Sequence, residues 1–259
     1  MTGIRRSGII LQERDRHLLG ELATMRVIDR EQSKLVAGFG STTRANARLL
    51  ALTRAGLLRR FFLGTAAGGK KALYALSQSG AKLIDAPYRG PRRKQDEVLV
   101  ADFFVAHQLR VNEVYSTLKY RAIPVPGAKF VRWASFCKPI DASNSIMPDG
   151  YVEVLHANKT LAAFLEVDLG HEGLAVWKAK IQHYLQYAVS GQFESHFHQP
   201  RFRVLVLTNS TRRAESIRAA AGSLTDKVFW FSSFDTINRD GFWSPVWLRP
   251  RDDQGQSLL

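Results

Sequence analysis

Apolar residues recur at helical spacing from Ile9 to Leu22, which predicts a first helix. Asp29, with Gln32 three residues on, supplies both halves of a capping box and predicts a second helix, ending near Gly38-Phe39-Gly40. Ser41 or Thr42 caps a third, which runs through Arg54 and stops at Gly56. Its inward stripe is Ala45, Leu49 and Leu52, so Thr43, Arg44, Asn46 and Arg48 face out. Leu57 to Leu63 and Lys70 to Leu76 read as strands joined by the glycine-rich turn 64–69. Ser77-Gln78-Ser79-Gly80 opens a short helix, and residues 87–95, PYRGPRRKQ, have the composition of a linker.

The second half begins with a long helix from 97 to about 120, with Val98, Ala101, Val105, Leu109, Asn112 and Tyr115 down one side. Pro124 and Pro126 break the pattern, and Lys129 to Cys137 reads as a strand. A strand from Met147-Pro148-Asp149, a turn at His156 to Lys159, and a nearly all-apolar strand from Thr160 to Asp168 form a hairpin. A helix follows from about Gly173 to about Ser190. Next come a strand over Arg203 to Thr208, a helix over Thr211 to Leu224, and a strand over Lys227 to Phe231. The polar tail after Arg249 reads as frayed. The order αβββαβαβ predicts an α/β domain with a mixed sheet, α+β overall once the first half is included. The expected division is 1–95 and 96–259.

Composition narrows the setting. Cys137 is the only cysteine, so no intrachain disulfide and no multi-cysteine zinc site can form, which fits a reducing compartment. No apolar run reaches membrane-spanning length, and the stretch after Arg5-Arg6 is too briefly apolar for a signal peptide. The expectation is a soluble, cytoplasmic protein. Of the net charge of +14, residues 1–95 hold +13 (19 Lys and Arg against 6 Asp and Glu). Residues 96–259 hold +1 (18 against 17). An excess so concentrated points to a polyanionic partner, and no basic amphipathic anchor argues for a membrane.

Three helices and a basic hairpin follow the order of a winged helix-turn-helix, and Tyr74-Ala75-Leu76-Ser77-Gln78-Ser79-Gly80 resembles the second wing strand and next helix of that family. The resemblance implies double-stranded DNA as partner, with the third helix in the major groove. Thr43, Arg44, Asn46 and Arg48 would then meet bases or phosphates, and Arg59, Arg60, Lys70 and Lys71 phosphates. The competing reading is a protein-binding winged helix whose basic residues are merely solvated. The linker would also rest on DNA.

The carboxylates Asp149, Glu166 and Asp168 fall at one end of the predicted hairpin, and Glu166 and Asp168, two apart, share a face. Three convergent carboxylates call for a cation, and a divalent metal is the usual answer. Pro148-Asp149 followed by Glu166-Val167-Asp168, in this element order, resembles the PD-(D/E)XK nuclease superfamily over roughly 97–208. That implies a Mg²⁺- or Mn²⁺-dependent endonuclease with Asp149, Glu166 and Asp168 as metal ligands. Asp168 stands where the superfamily has lysine, and Lys180, on a helical flank with Trp177, Tyr184 and Tyr187, is the replacement, with Lys178 second. Glu113 is a further candidate ligand, and His171-Glu172 a supporting pair. The rival assigns Glu166 and Asp168 to a structural ion-pair network with Lys178 or Lys180, the domain acting as a non-catalytic scaffold. His196-Phe197-His198 reads as a polar surface loop, and Phe229-Trp230-Phe231, Trp243 and Trp247 as packing residues.

The chain as a whole resembles the replication-relaxation family. The stretches that carry this are His107 to Asn112, Pro148-Asp149-Gly150, Glu166 to Gly170, and Lys180 to Tyr184. The resemblance implies a role in replication or transfer of a plasmid or integrative element. The partners implied are DNA and the element's replication or transfer proteins, with a homodimer open to it.

Overall fold

A computed structural model describes residues 9–65, 68–90, 93–100, 102–141 and 145–259. Arg5 and Arg6, Ala66 and Ala67 of the glycine-rich turn, Pro91 and Arg92 of the linker, and Ala101 lie outside the described residues. The chain divides into two units, one running to Arg121 and one from Ala122 to Leu259.

Local capping chemistry sets the first unit. Helix α1 (Glu13–Met25) begins later than its periodicity suggests, because Gln12 and Asp15 form the capping box there. After the two-residue β1 (Ile28–Asp29), Asp29 caps α2 (Arg30–Ala37) by accepting from Gln32 N, and Gly38 closes it in the left-handed conformation. Ser41 caps α3 (Thr42–Arg54), whose Ala45, Leu49 and Leu52 are buried. Strands β2 (Leu58–Gly64) and β3 (Lys70–Leu76) pair antiparallel from Leu58 with Leu76 to Gly64 with Lys70. Ser77 caps α4 (Gln78–Leu83), and Gly80 is required there: a Cβ would meet the Leu57 carbonyl oxygen at 2.1 Å.

The residues that follow the expected linker, from Asp96 on, are fastened along the hairpin. Asp96 N donates to the Arg60 carbonyl, Phe62 N to that of Glu97, and β4 (Val98–Leu99) pairs parallel with β2. The sheet order is β1-β3-β2-β4. Asp102 then caps α5 (Phe103–Tyr120), so Val98 belongs to a strand and not to the helix. Asn112 donates to the carbonyls of Met25 and Val27, and Tyr115 to Glu21. Helix α5 thus packs on the first unit, where the sequence placed it at the head of the second.

The second unit is built on β5 (Lys129–Ala134), β6 (Gly150–His156), β7 (Lys159–Asp168), β8 (Arg203–Thr208), β9 (Phe229–Ser233), β10 (Trp247–Arg249) and β11 (Asp252–Gln256). Among the described residues they form one mixed sheet in the order β11-β10-β9-β8-β7-β6-β5. Strands β7, β8 and β9 run parallel, and the outer pairs antiparallel. The β6–β7 turn has two central residues, Ala157 and Asn158, both at positive φ, as a tight hairpin needs. Helices α6 (Leu174–Val189), α7 (Gln192–Phe197), α8 (Thr211–Gly222) and α9 (Phe234–Asp240) complete the unit.

Tyr151, Phe164, Trp177, Tyr184, Phe229 and Phe231 belong to one aromatic core cluster. Two expectations fail in this unit. His196-Phe197-His198 ends a helix in which Phe197 is buried and His196 meets the Tyr187 hydroxyl at 3.0 Å. The tail after Arg249 is not frayed, for β11 pairs with β10 and Leu258 is buried. The buried apolar Leu258 outweighs the polar residues before it.

Candidate functional site

Alternation along β7 puts Phe164, Glu166 and Asp168 on the face that α6 covers. Glu166 and Asp168 are only 3% and 2% exposed. Helical spacing on α6 brings Trp177, Lys180 and Tyr184 to them. Lys180 Nζ lies 2.9 Å from Glu166 Oε2 and 3.0 Å from Glu172 Oε2, and the Tyr184 hydroxyl donates to Glu166 Oε1 at 2.6 Å. Lys180 also sits 4.8 Å from the Trp177 ring centroid. Asp149, just before β6, accepts from Val167 N at 2.7 Å and so ties the two strand ends together.

Asp168 is held by different partners. Arg213, in the first turn of α8, donates Nε and Nη2 to its two oxygens at 3.1 and 2.7 Å. Trp177 Nε1 and Gly170 N also donate to it, and Arg213 Nη2 reaches on to the Glu172 carbonyl.

The two carboxylates are displaced in opposite directions. Burial pushes Glu166 up to about 7; Lys180 and Tyr184 oppose the shift and nearby Asp149 adds to it. Burial would also raise Asp168, but the hydrogen bonds from Arg213, Trp177 and Gly170 hold it below the ordinary aspartate value. Burial alone would lower Lys180, yet Glu166 and Glu172 hold it above the ordinary lysine value. The ammonium therefore stays charged through the neutral range, and Glu166 is the partner that titrates there.

Lys180 thus reaches the strand end from the helix as expected, and Glu172 joins it. Lys178 is exposed, and Glu113 pairs with Arg110 at 2.7 Å. The expected three-carboxylate centre does not form. Among the described residues no three His, Cys, Asp or Glu side chains are grouped to hold a metal. The charge of Asp168 is met by Arg213 and that of Glu166 by Lys180, so the donor set does not fit a metal held by all three carboxylates. Sequence reasoning missed Arg213. Its available signal was position: β8 runs parallel to β7 with Asp168 opposite Thr208, so the helix after β8 starts beside Asp168.

In the first unit, Thr43, Arg44, Asn46, Arg59 and Lys70 are exposed. Arg44 and Lys70 have no acidic partner among the described residues. Arg48, expected to face a DNA groove, turns the other way. It pairs through Nε and Nη2 with the fully buried Asp15 and donates to the Ile10 carbonyl at 2.7 Å. Arg60 pairs with Asp96 at 2.6 Å, Lys71 with Asp29 at 3.1 Å, and Arg59 donates to the Arg93 carbonyl. Asn46, Thr65, Lys70 and Lys71 line one groove of about 480 Å³. Asp29 and Glu31 also line it, Asp29 paired with Lys71 and Glu31 with Arg30 and Lys34.

A model of the replication-relaxation family matches residues 19–199. The chain belongs to the replication-relaxation family. Membership points to a role in replication or mobilisation of a plasmid or mobile element. The family match runs from within α1 through α7 and so includes Asp149, Glu166, Glu172, Lys180 and Tyr184; Arg213 lies beyond it. No curated protein and no solved structure matches the chain. Among the described residues no helix is long and apolar enough to cross a membrane.

Proposed function

We propose that this replication-relaxation protein binds double-stranded DNA through its first unit, read as a winged helix-turn-helix, and that its second unit is a non-catalytic scaffold. The observation that carries the DNA reading is the exposed pair Arg44 and Lys70, on α3 and the hairpin, which no acid neutralises among the described residues. Asn46 and Lys70 share a groove between those elements, as base and backbone readout require. The scaffold reading rests on the Glu166–Lys180 and Asp168–Arg213 pairs, in which each buried carboxylate is met by a cation of the protein itself.

The test is anisotropy binding of the full chain to duplex DNA across salt. Log affinity falls steeply with log salt, and Arg44→Ala or Lys70→Ala each weakens binding about tenfold. Arg48→Ala lowers stability before it touches binding. Salt-independent binding, or unchanged affinity in both exposed-residue variants, rejects the reading.

One observation favours a second reading, a metal-dependent endonuclease. Lys180 contacts Glu166, and Asp149 is close enough to raise that carboxyl. Asp149, Glu166 and Lys180 are the residues such an enzyme would draw on. Mg²⁺- or Mn²⁺-dependent nicking of supercoiled plasmid, abolished in Asp149→Asn, selects the nuclease. Absence of nicking, with no heat of Mg²⁺ or Mn²⁺ binding in calorimetry, selects the scaffold.

A further inference from the structure

At the end of the sheet opposite Glu166, strands β7 and β8 begin beside a cavity of about 420 Å³. Lys159, Arg201 and Arg203 line it with His156, over an apolar floor that includes Phe202 and Leu258. No side chain in its lining is acidic; Leu259, the last residue of the sequence, also lines it. Neither Arg201 nor Arg203 has an ion pair among the described residues.

Arg203 is fixed in place. Its Nη1 donates to the Leu258 carbonyl at 2.7 Å, and its guanidinium carbon lies 4.3 Å from the Trp230 ring centroid. One of its five N–H groups is thereby engaged, and the guanidinium makes no other hydrogen bond among the described residues. Arg249 crowds the same indole at 4.9 Å, and its Nε is buried with no hydrogen-bond partner. Burial, and then the charges of Arg249 and Arg201, push Arg203 down to about 10. Cations gathered this closely repel one another unless an anion joins them.

We infer that this cavity is an anion site that takes a phosphate group, free or carried on a nucleotide or nucleic-acid strand, between Arg201 and Arg203. Paired guanidinium forks match phosphate oxygens bidentately, and the apolar floor leaves room for a base or sugar beside the charge. The site is separate from the groove of α3 and the hairpin, and it does not depend on the DNA reading of the first unit.

The experiment compares melting temperature and calorimetric binding of the full chain in inorganic phosphate and in chloride at equal ionic strength. Phosphate raises the melting temperature by mass action, and chloride does not. Arg201→Gln, at an exposed position, weakens phosphate binding about tenfold, since it removes one of the two forks. Arg203→Lys keeps the charge and loses the fork, so it also weakens binding; it guards against loss of fold in a more severe change. Arg44→Ala leaves the phosphate effect intact, which separates this site from the first unit. A 5′-phosphorylated single strand that binds more tightly than inorganic phosphate identifies nucleic acid as the source. Equal binding identifies the free ion. Equal melting in phosphate and chloride, or phosphate binding unchanged in Arg201→Gln, overturns the assignment.

Discussion

Glu166 and Asp168 lie two residues apart on one strand and one face, almost equally buried, yet one is driven toward neutrality and the other held ionised. The difference is in the donors each receives. Asp168 accepts from both arms of Arg213, an indole N–H and a backbone N–H. Glu166 receives a tyrosine hydroxyl and an ammonium that it shares with Glu172. Burial penalises both charges, Glu166 the more heavily and with Asp149 adding to it, and the donors decide how far each penalty is offset. A planar fork satisfies two oxygens at once, whereas a point charge divided between two carboxylates satisfies neither fully.

The largest effect should come from breaking the better-satisfied half. Arg213→Met leaves Asp168 buried with its charge unmatched and should cost about 3–5 kcal/mol in urea unfolding at pH 7. Asp168→Asn combined with Arg213→Met should recover part of that loss. A loss below about 1 kcal/mol in the single variant would mean that the pair is not what holds this strand end.

The pH dependence sharpens the contrast. The folded-state value of Glu166 is raised from 4.5 to about 7. Its contribution to stability is therefore present below the unfolded value and lost as pH rises through about 7. Glu166→Gln should remove a downward slope of up to about 1.4 kcal/mol per pH unit across that window. Asp168, lowered on folding, has the opposite sign: its contribution is present above the ordinary aspartate value and lost as pH falls through the folded one. Thermal unfolding from pH 3 to 8 reads both, and identical wild-type and Glu166→Gln profiles would remove the contrast.

Lys180→Met should cost less than loss of Arg213, about 1–3 kcal/mol at pH 8, and less again at pH 5, where Glu166 is neutral without help. A penalty independent of pH would show that Lys180 acts through packing on Trp177 instead. The smallest change, Tyr184→Phe, removes one hydrogen bond and should cost about 1 kcal/mol, measured by urea unfolding at pH 8.

What the sequence disclosed follows the range of the interactions. The Asp29–Gln32 capping box, the Ser41 cap and the inward stripe of α3 are settled within four residues, and all appear as read. The shared face of Glu166 and Asp168 follows from the period of two, and Lys180 from the helical period. Choice of partner over distance was not legible. Arg48 falls off the inward stripe of α3, but Asp15, 33 residues earlier, turns it inward. Asp168 is claimed by Arg213, 45 residues later. Helix α5 has an apolar side that fits either unit, and Asn112, bonded to the backbone at Met25 and Val27, fixes it to the first. Local periodicity carries no record of such closures.

The spacing of these partners has a consequence for the chain as it is made. Glu166 meets Lys180 after a further 14 residues, whereas Asp168 waits 45 for Arg213. At about 5–20 residues per second, the first gap lasts about 1–3 s and the second about 2–9 s. The hairpin of β6 and β7 closes in microseconds once it emerges. For several seconds of synthesis, then, the hairpin's glutamate already has its lysine on the chain while its aspartate, with Gly170 and Trp177 at hand, still lacks the guanidinium that α8 brings.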